Sequence, residues 1–190
     1  MKQKEARELA GELRALREAI SYNLFVRKKY LDFFSNLSEE TLTKDREASH
    51  PTILDIFVHV LNDYSFWFYT YRTGKQDGGI VPELTKIRSL TDVRKLEAKI
   101  DMYTINFMRR IEPEEIYKPF QFIVSSGPEK DQLITWNLKG MLWHHVEEEL
   151  QHRGEINALL WQDDIDPPVT SWWKWEQAIK KKENKRIRKS

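Results

Sequence analysis

The chain has 190 residues, of which 31 are Lys or Arg, 30 are Asp or Glu and none is Cys. Near-neutral charge excludes a globally basic nucleic-acid binder, and the lack of cysteine excludes disulfides, zinc ribbons and thiol nucleophiles. With 40% hydrophobic and 12% aromatic residues, the composition suits one well-solvated domain with a substantial core.

Residues 4–35 predict a long amphipathic helix, because Leu9, Leu13, Leu16, Ile20 and Leu24 recur every three or four residues between charges. No apolar run at the N-terminus resembles a signal peptide and no stretch approaches a membrane span, so a cytoplasmic location is expected. Ser38-Glu39-Glu40 reads as a short helix start, with Leu42 packing back. Pro51 suits the first turn of a second helix reaching residue 71, with Ile53, Ile56, Val60, Tyr64 and Trp67 as its buried stripe and Gly74 past its end. Residues 74–90, with Gly78, Gly79 and Pro82, read as a long loop. A third helix is expected over 93–111, burying Leu96, Ile100, Tyr103 and Phe107.

The helical period breaks at 119–136. Phe120 to Val124 and Leu133 to Trp136 are β-prone and flank Ser125-Ser126-Gly127-Pro128, which predicts a short hairpin. A fourth helix spans 137–162 and stops at Asp166-Pro167-Pro168. Trp172, Trp173 and Trp175 open a final segment expected to pack over the bundle end. The expected organisation is one all-α four-helix bundle over 1–175, with a short β-hairpin before the last core helix. A basic tail over 176–190 is expected to be disordered.

The fourth helix has an unusual inward stripe of Leu138, Met141, His145, Glu148 or Glu149, His152, Ile156 and Leu159. Burying a polar group without a partner costs roughly 2–7 kcal/mol, and a charge more, so something must compensate. Glu148 and His152 lie one helical turn apart and can share a divalent cation, with His144 or His145 one turn earlier as substitutes. His59 lies on the buried side of the second helix, and a pair of ligands on one helix with a third on its neighbour is how bundles build metal sites. Glu149 or His145 would be the proton-transfer group. The blander alternative is that Glu147, Glu148 and Glu149 form a solvated face paired to residues such as Arg153. Gly154, mid-helix, suggests close packing of another helix.

These residues resemble the DinB/YfiT-like family. The stretch from Ile53 to Asp63 containing His59, then Trp67, is similar to the family's second-helix motif. His152-Arg153-Gly154-Glu155-Ile156 with Leu159-Leu160 is similar to its last-core-helix motif, and Ile165-Asp166-Pro167-Pro168 resembles the family's segment just past that helix. The resemblance implies a four-helix bundle, often dimeric, holding a divalent metal with three side chains. Nickel or zinc are the first candidates for that metal, and iron or manganese the next. It also implies thiol-cofactor-dependent transferase or isomerase chemistry on a small molecule. Carried over, the ligands are His59, Glu148 and His152, with Glu148 standing where the family usually has histidine. A thiol would have to come from a low-molecular-weight cofactor. The expected protein is a metal-dependent transferase or metal-assisted hydrolase, homodimeric, with no membrane partner. The alternative is a non-catalytic stress-response or interaction protein on the same bundle. A nucleic-acid role through the seven basic residues of 180–190 is the weakest option.

Overall fold

The computed structural model describes residues 2–81, 87, 89–125 and 127–187, with no account of the side chains of Lys2 and residues 182–187. Four long helices form the core: α1 (Lys2–Phe34), α3 (Ile53–Thr73), α4 (Leu90–Arg110) and α5 (Leu138–Gln162). The short α2 (Glu39–Thr43) follows α1, and a 3-10 turn at Pro113–Tyr117 follows α4. A hairpin of β1 (Pro119–Ile123) and β2 (Leu133–Asn137) feeds directly into α5, and α6 (Trp172–Ile187) closes the chain. The all-α bundle with one small hairpin is therefore as expected.

Local chemistry sets the boundaries. Thr52 caps α3 by accepting the Asp55 N–H, and Gly74 ends that helix in the left-handed region at φ 68°. Ser89 caps α4 by accepting the Asp92 N–H, so this helix begins three residues before the expected start. Asn137 accepts the Gly140 N–H, which turns the last residue of β2 into the cap of α5. The expected loop at 74–90 is described at 74–81, 87 and 89, where no regular element forms. Pro82 and the Ser126 of the hairpin turn lie outside the described residues.

In the bundle, α5 packs on α3 and α1, and α4 packs on the opposite side of the same two helices. Leu13, Leu16 and Ile20 of α1 are buried as expected, with Val26, Tyr30, Leu31 and Phe34 extending the core. Antiparallel pairing sets Phe120 against Trp136 and Phe122 against Ile134. Trp67 docks edge-on to Phe122 at 4.8 Å and Trp136 at 5.1 Å, which seats the hairpin on the bundle. Gly140 is needed there, because a Cβ would lie 2.1 Å from the Trp136 indole nitrogen. Glycine also interrupts α5 at Gly154, where it costs about 1 kcal/mol relative to alanine. No atom from the rest of the described chain lies within 4 Å of a Cβ built at that position, so the helix expected to pack against it is not among the described ones.

α6 runs to Ile187, so most of the stretch expected to be disordered from 176 is helical, and residues 188–190 lie outside the described ones. Its aromatic start explains this: Trp172 and Trp175 pack on Tyr22 of α1 at 4.9 and 6.1 Å, anchoring the helix laterally on the bundle. Among the described residues, no helix is long and apolar enough to cross a membrane.

Candidate metal centre

Two neighbouring glutamates of α5 meet opposite environments. Glu149 is buried and accepts two hydrogen bonds from Arg27 of α1, one of them from Nε at 3.0 Å. Arg27 also pairs with Asp101 of α4 and lies over the Tyr64 ring of α3, 4.5 Å from its centroid. Burial opposes the Arg27 charge, but Glu149 and Asp101 outweigh it and hold the guanidinium above its usual range. One residue thus joins all four long helices by polar contact. The polar contacts of Glu149 are with Arg27, so its surroundings are those of a structural ion pair, not of the proton-transfer group expected.

Glu148, one residue earlier, points toward the rim. Its Oε2 lies 3.3 Å from Nε2 of both His59 and His152, and its Oε1 lies 3.9 Å from Nε2 of His144. The three expected ligands are therefore brought together by the fold. A fourth residue joins them. His50 stacks on His59 with ring centroids 4.2 Å apart, and ligand nitrogens of His50, His59 and His152 all lie within 4.8 Å of one another.

His50 arrives because its loop is pinned to α5. Glu155 accepts the Ser49 N–H at 2.9 Å and the Ser49 hydroxyl at 2.7 Å. Arg46, from the same loop, donates to Thr41 O at 2.9 Å and pairs with Asp163. Glu155 also meets His152, whose Nδ1 donates to Oε2 at 2.9 Å. That bond fixes the tautomer and leaves Nε2, the nitrogen facing His59 and Glu148, with a free lone pair, an arrangement usual for metal-bound histidine. Burial opposes ionisation of Glu155, yet the bonds from Ser49 and His152 prevail and hold its carboxyl below the usual range. Burial, and then the neighbouring His59 and His152, push the His50 imidazole below its usual pKa and keep it neutral. Imidazole nitrogens and an adjacent carboxylate suit a divalent cation of intermediate softness.

His144 and His145 are occupied elsewhere. Both donate to Asp63 of α3, from His144 Nε2 to Oδ1 at 3.2 Å and from His145 Nδ1 to Oδ2 at 2.9 Å. Burial alone would raise the Asp63 carboxyl, but these bonds hold it far below its usual range. His145 is fully buried and stacks on Tyr64 at 4.0 Å, and burial lowers its pKa. Its surroundings are those of a core histidine, not of the proton-transfer group expected. His144 sits beneath the hairpin, 5.7 Å from the Trp136 ring, and Asp63 raises its pKa against the effect of burial.

Sequence reasoning missed His50 and the bridging role of Glu155. The spacing of Glu155, three residues after His152, was a readable signal. His50 offered none beyond being the fifth histidine, since its placement depends on a loop folding back. A cavity of about 20 Å³, room for one water, adjoins His152 between Arg27, Tyr30, Glu149 and Arg153. A larger surface groove, about 810 Å³ between α4 and the hairpin, contains none of the histidines.

A four-helix bundle with ligand-type side chains converging from α3, α5 and the loop before α3 defines a candidate metal-binding bundle protein. The sequence matches the DinB family model over residues 1–183, and the chain belongs to the DinB family. No functionally curated protein matches it in sequence.

Proposed function

We propose that this DinB-family protein is a divalent-metal-dependent enzyme acting on a small molecule, with His50, His59 and His152 holding the cation. Glu148 stands beside them as a further ligand or a proton acceptor. The observation that carries the reading is the convergence of three imidazole nitrogens within 4.8 Å. The locked tautomer of His152, set by Glu155, supports it. A cation held there supplies Lewis acidity toward a bound substrate. Glu148 is placed to take or return a proton at its rim-facing carboxylate, and Asp63 keeps His144 oriented beside it. Nickel or zinc fit the imidazole-rich donor set, with iron or manganese next. If the reaction is a thiol transfer, the thiol must be a separate small molecule, because the chain has no cysteine.

A second reading has its own observation. Glu148 at 3.3 Å from two imidazoles could satisfy them as ion pairs once they are protonated, giving a non-catalytic protein with a metal-free polar cluster. Elemental analysis of the purified protein, with unfolding temperature measured as nickel or zinc is added, separates the two. Stoichiometric metal that disappears in a His59→Ala, His152→Ala double variant supports the enzyme reading. A protein that carries no metal and shows no shift with either ion sinks it.

A further inference from the structure

The surface groove of about 810 Å³ between α4 and the hairpin combines an aromatic floor with a basic rim. Tyr71, Tyr103, Phe107 and Phe120 line it and are half-buried. Their rings are held in place. Tyr71 stands edge-on to Phe107 at 6.0 Å and to Phe120 at 5.4 Å, and the fully buried Phe68 backs Phe107 at 4.7 Å and Tyr103 at 5.3 Å. One wall is fixed as well. The Ile80 N–H donates to Ser65 O at 3.2 Å, and the Val81 N–H donates to the Ser65 hydroxyl at 3.1 Å. Gly79 permits that approach, because a Cβ there would lie 2.5 Å from the Ser65 hydroxyl oxygen. A preformed apolar surface left open to water marks a place where a ligand binds.

The rim is basic without local neutralisation. Arg72, Arg110 and Lys118 line the groove, are exposed, and make no ion pair with any described residue. Glu115 is the one acid among the described lining residues, and its carboxylate accepts the Glu112 N–H at 2.8 Å. Arg72 and Arg110 stand in the last turns of α3 and α4, where cations offset the helix dipole. Each such end carries roughly half a negative charge, so the two arginines exceed what both ends require, and Lys118 adds to the surplus. A second groove, about 790 Å³ between α1, α4 and α6, lacks this combination. Its Arg17 is engaged by the Met108 and Ile111 carbonyls at 2.8 Å each, and its Trp175 is buried against Tyr22.

We propose that the groove between α4 and the hairpin binds a small aromatic anion, with the ring against Tyr71, Tyr103, Phe107 and Phe120 and the carboxylate, phosphate or sulfonate group on Arg72, Arg110 and Lys118. The volume falls in the range of small-molecule sites, about 300–1,000 Å³. Guanidinium groups suit such a ligand, because they bond anionic oxygens in pairs and also stack on aromatic faces. The Tyr71 and Tyr103 hydroxyls have no hydrogen-bond partner among the described residues, so they add two donors for its oxygens. The groove is separate from the histidine cluster. Tyr71 follows His59 by twelve residues of α3, about 18 Å along the axis, too far for one small molecule to touch both. The inference therefore does not depend on the metal.

The probe is 8-anilinonaphthalene-1-sulfonate, titrated by fluorescence into the full chain beside N-phenyl-1-naphthylamine, which has the same rings without the sulfonate. One saturable site is expected for the sulfonate, with the neutral amine bound at least about 10-fold more weakly. An Arg72→Glu, Arg110→Glu double variant should weaken sulfonate binding by at least about 10-fold. Its circular dichroism should stay unchanged, since both side chains are exposed. A Lys28→Glu, Arg109→Glu double variant changes net charge equally on the second groove, and it should bind within about 2-fold of the parent. The His59→Ala, His152→Ala double variant should also bind as the parent does. Equimolar inorganic phosphate, which has no ring, should not displace the probe. Absence of a saturable site, equal binding of the neutral amine, displacement by phosphate, an equal loss in both charge-reversed variants, retention in the Arg72→Glu, Arg110→Glu protein, or loss in the histidine variant would each overturn the inference.

Discussion

Glu148 and Glu149 share a helix and a chemistry, yet one sits in a closed network and the other in an open one. Around Glu149 the charges are matched by the protein itself: Arg27 donates to it and to Asp101, and Tyr64 lies beneath the guanidinium. Around Glu148 the nitrogens of His59 and His152 turn toward one another and toward the same oxygen. A buried charge with protein partners holds a fold in register, whereas acceptors that converge without enough donors await a ligand. The difference explains why burial alone misleads. The more deeply buried glutamate is structural, and the partly exposed one belongs to the candidate site.

That contrast breaks most severely at Arg27. Arg27→Ala should destabilise the fold by about 3–5 kcal/mol, because it strands two carboxylates, while the triple replacement Arg27→Met, Asp101→Leu, Glu149→Leu, which leaves no charge unpaired, should lose much less. Urea unfolding compares them, and equal losses would show that the network is not what matters. At the histidine cluster the order reverses. His152→Ala should cost the metal-free fold about 1–3 kcal/mol, less than Arg27→Ala, while metal affinity falls at least about 100-fold, read by calorimetric titration with zinc or nickel. Glu155→Gln should lower that affinity by roughly 10–100-fold, since it loosens both the His152 tautomer and the Ser49 loop that carries His50. Unchanged affinity would remove Glu155 from the site.

The smallest effect concerns Asp63, which lies between the two regions. Its folded pKa is depressed by His144 and His145, so its stabilisation is fully present above the unfolded value of about 3.9 and is lost as pH falls through the folded value. Asp63→Asn should therefore flatten the decline in stability between about pH 5 and pH 2 by roughly 1–3 kcal/mol. An unaltered acid limb would mean that the two histidine bonds do not hold the carboxylate.

Much of the fold was legible without coordinates. The periodic leucines of α1, Gly74 past the end of α3 and the β-prone runs around Gly127 are local signals, and local signals state which elements form. The pairing of Glu148 with His152 is likewise local, a matter of one helical turn. Assigning Glu148 and Glu149 their parts was not, since adjacent residues on a helix differ by 100° and either could face inward. Nothing adjacent to Arg27 in the sequence marks its buried role, because its partners Asp101 and Glu149 come from α4 and α5. His50 became a member of the site only because Glu155 and Arg46 draw its loop onto α5. The sequence by itself determined the bundle, its family and two imidazoles of the centre, because periodicity and short motifs are written in neighbouring residues. Tertiary structure alone decided which carboxylate is matched, which is open and which third histidine completes the set, because those depend on contacts between segments far apart in the chain.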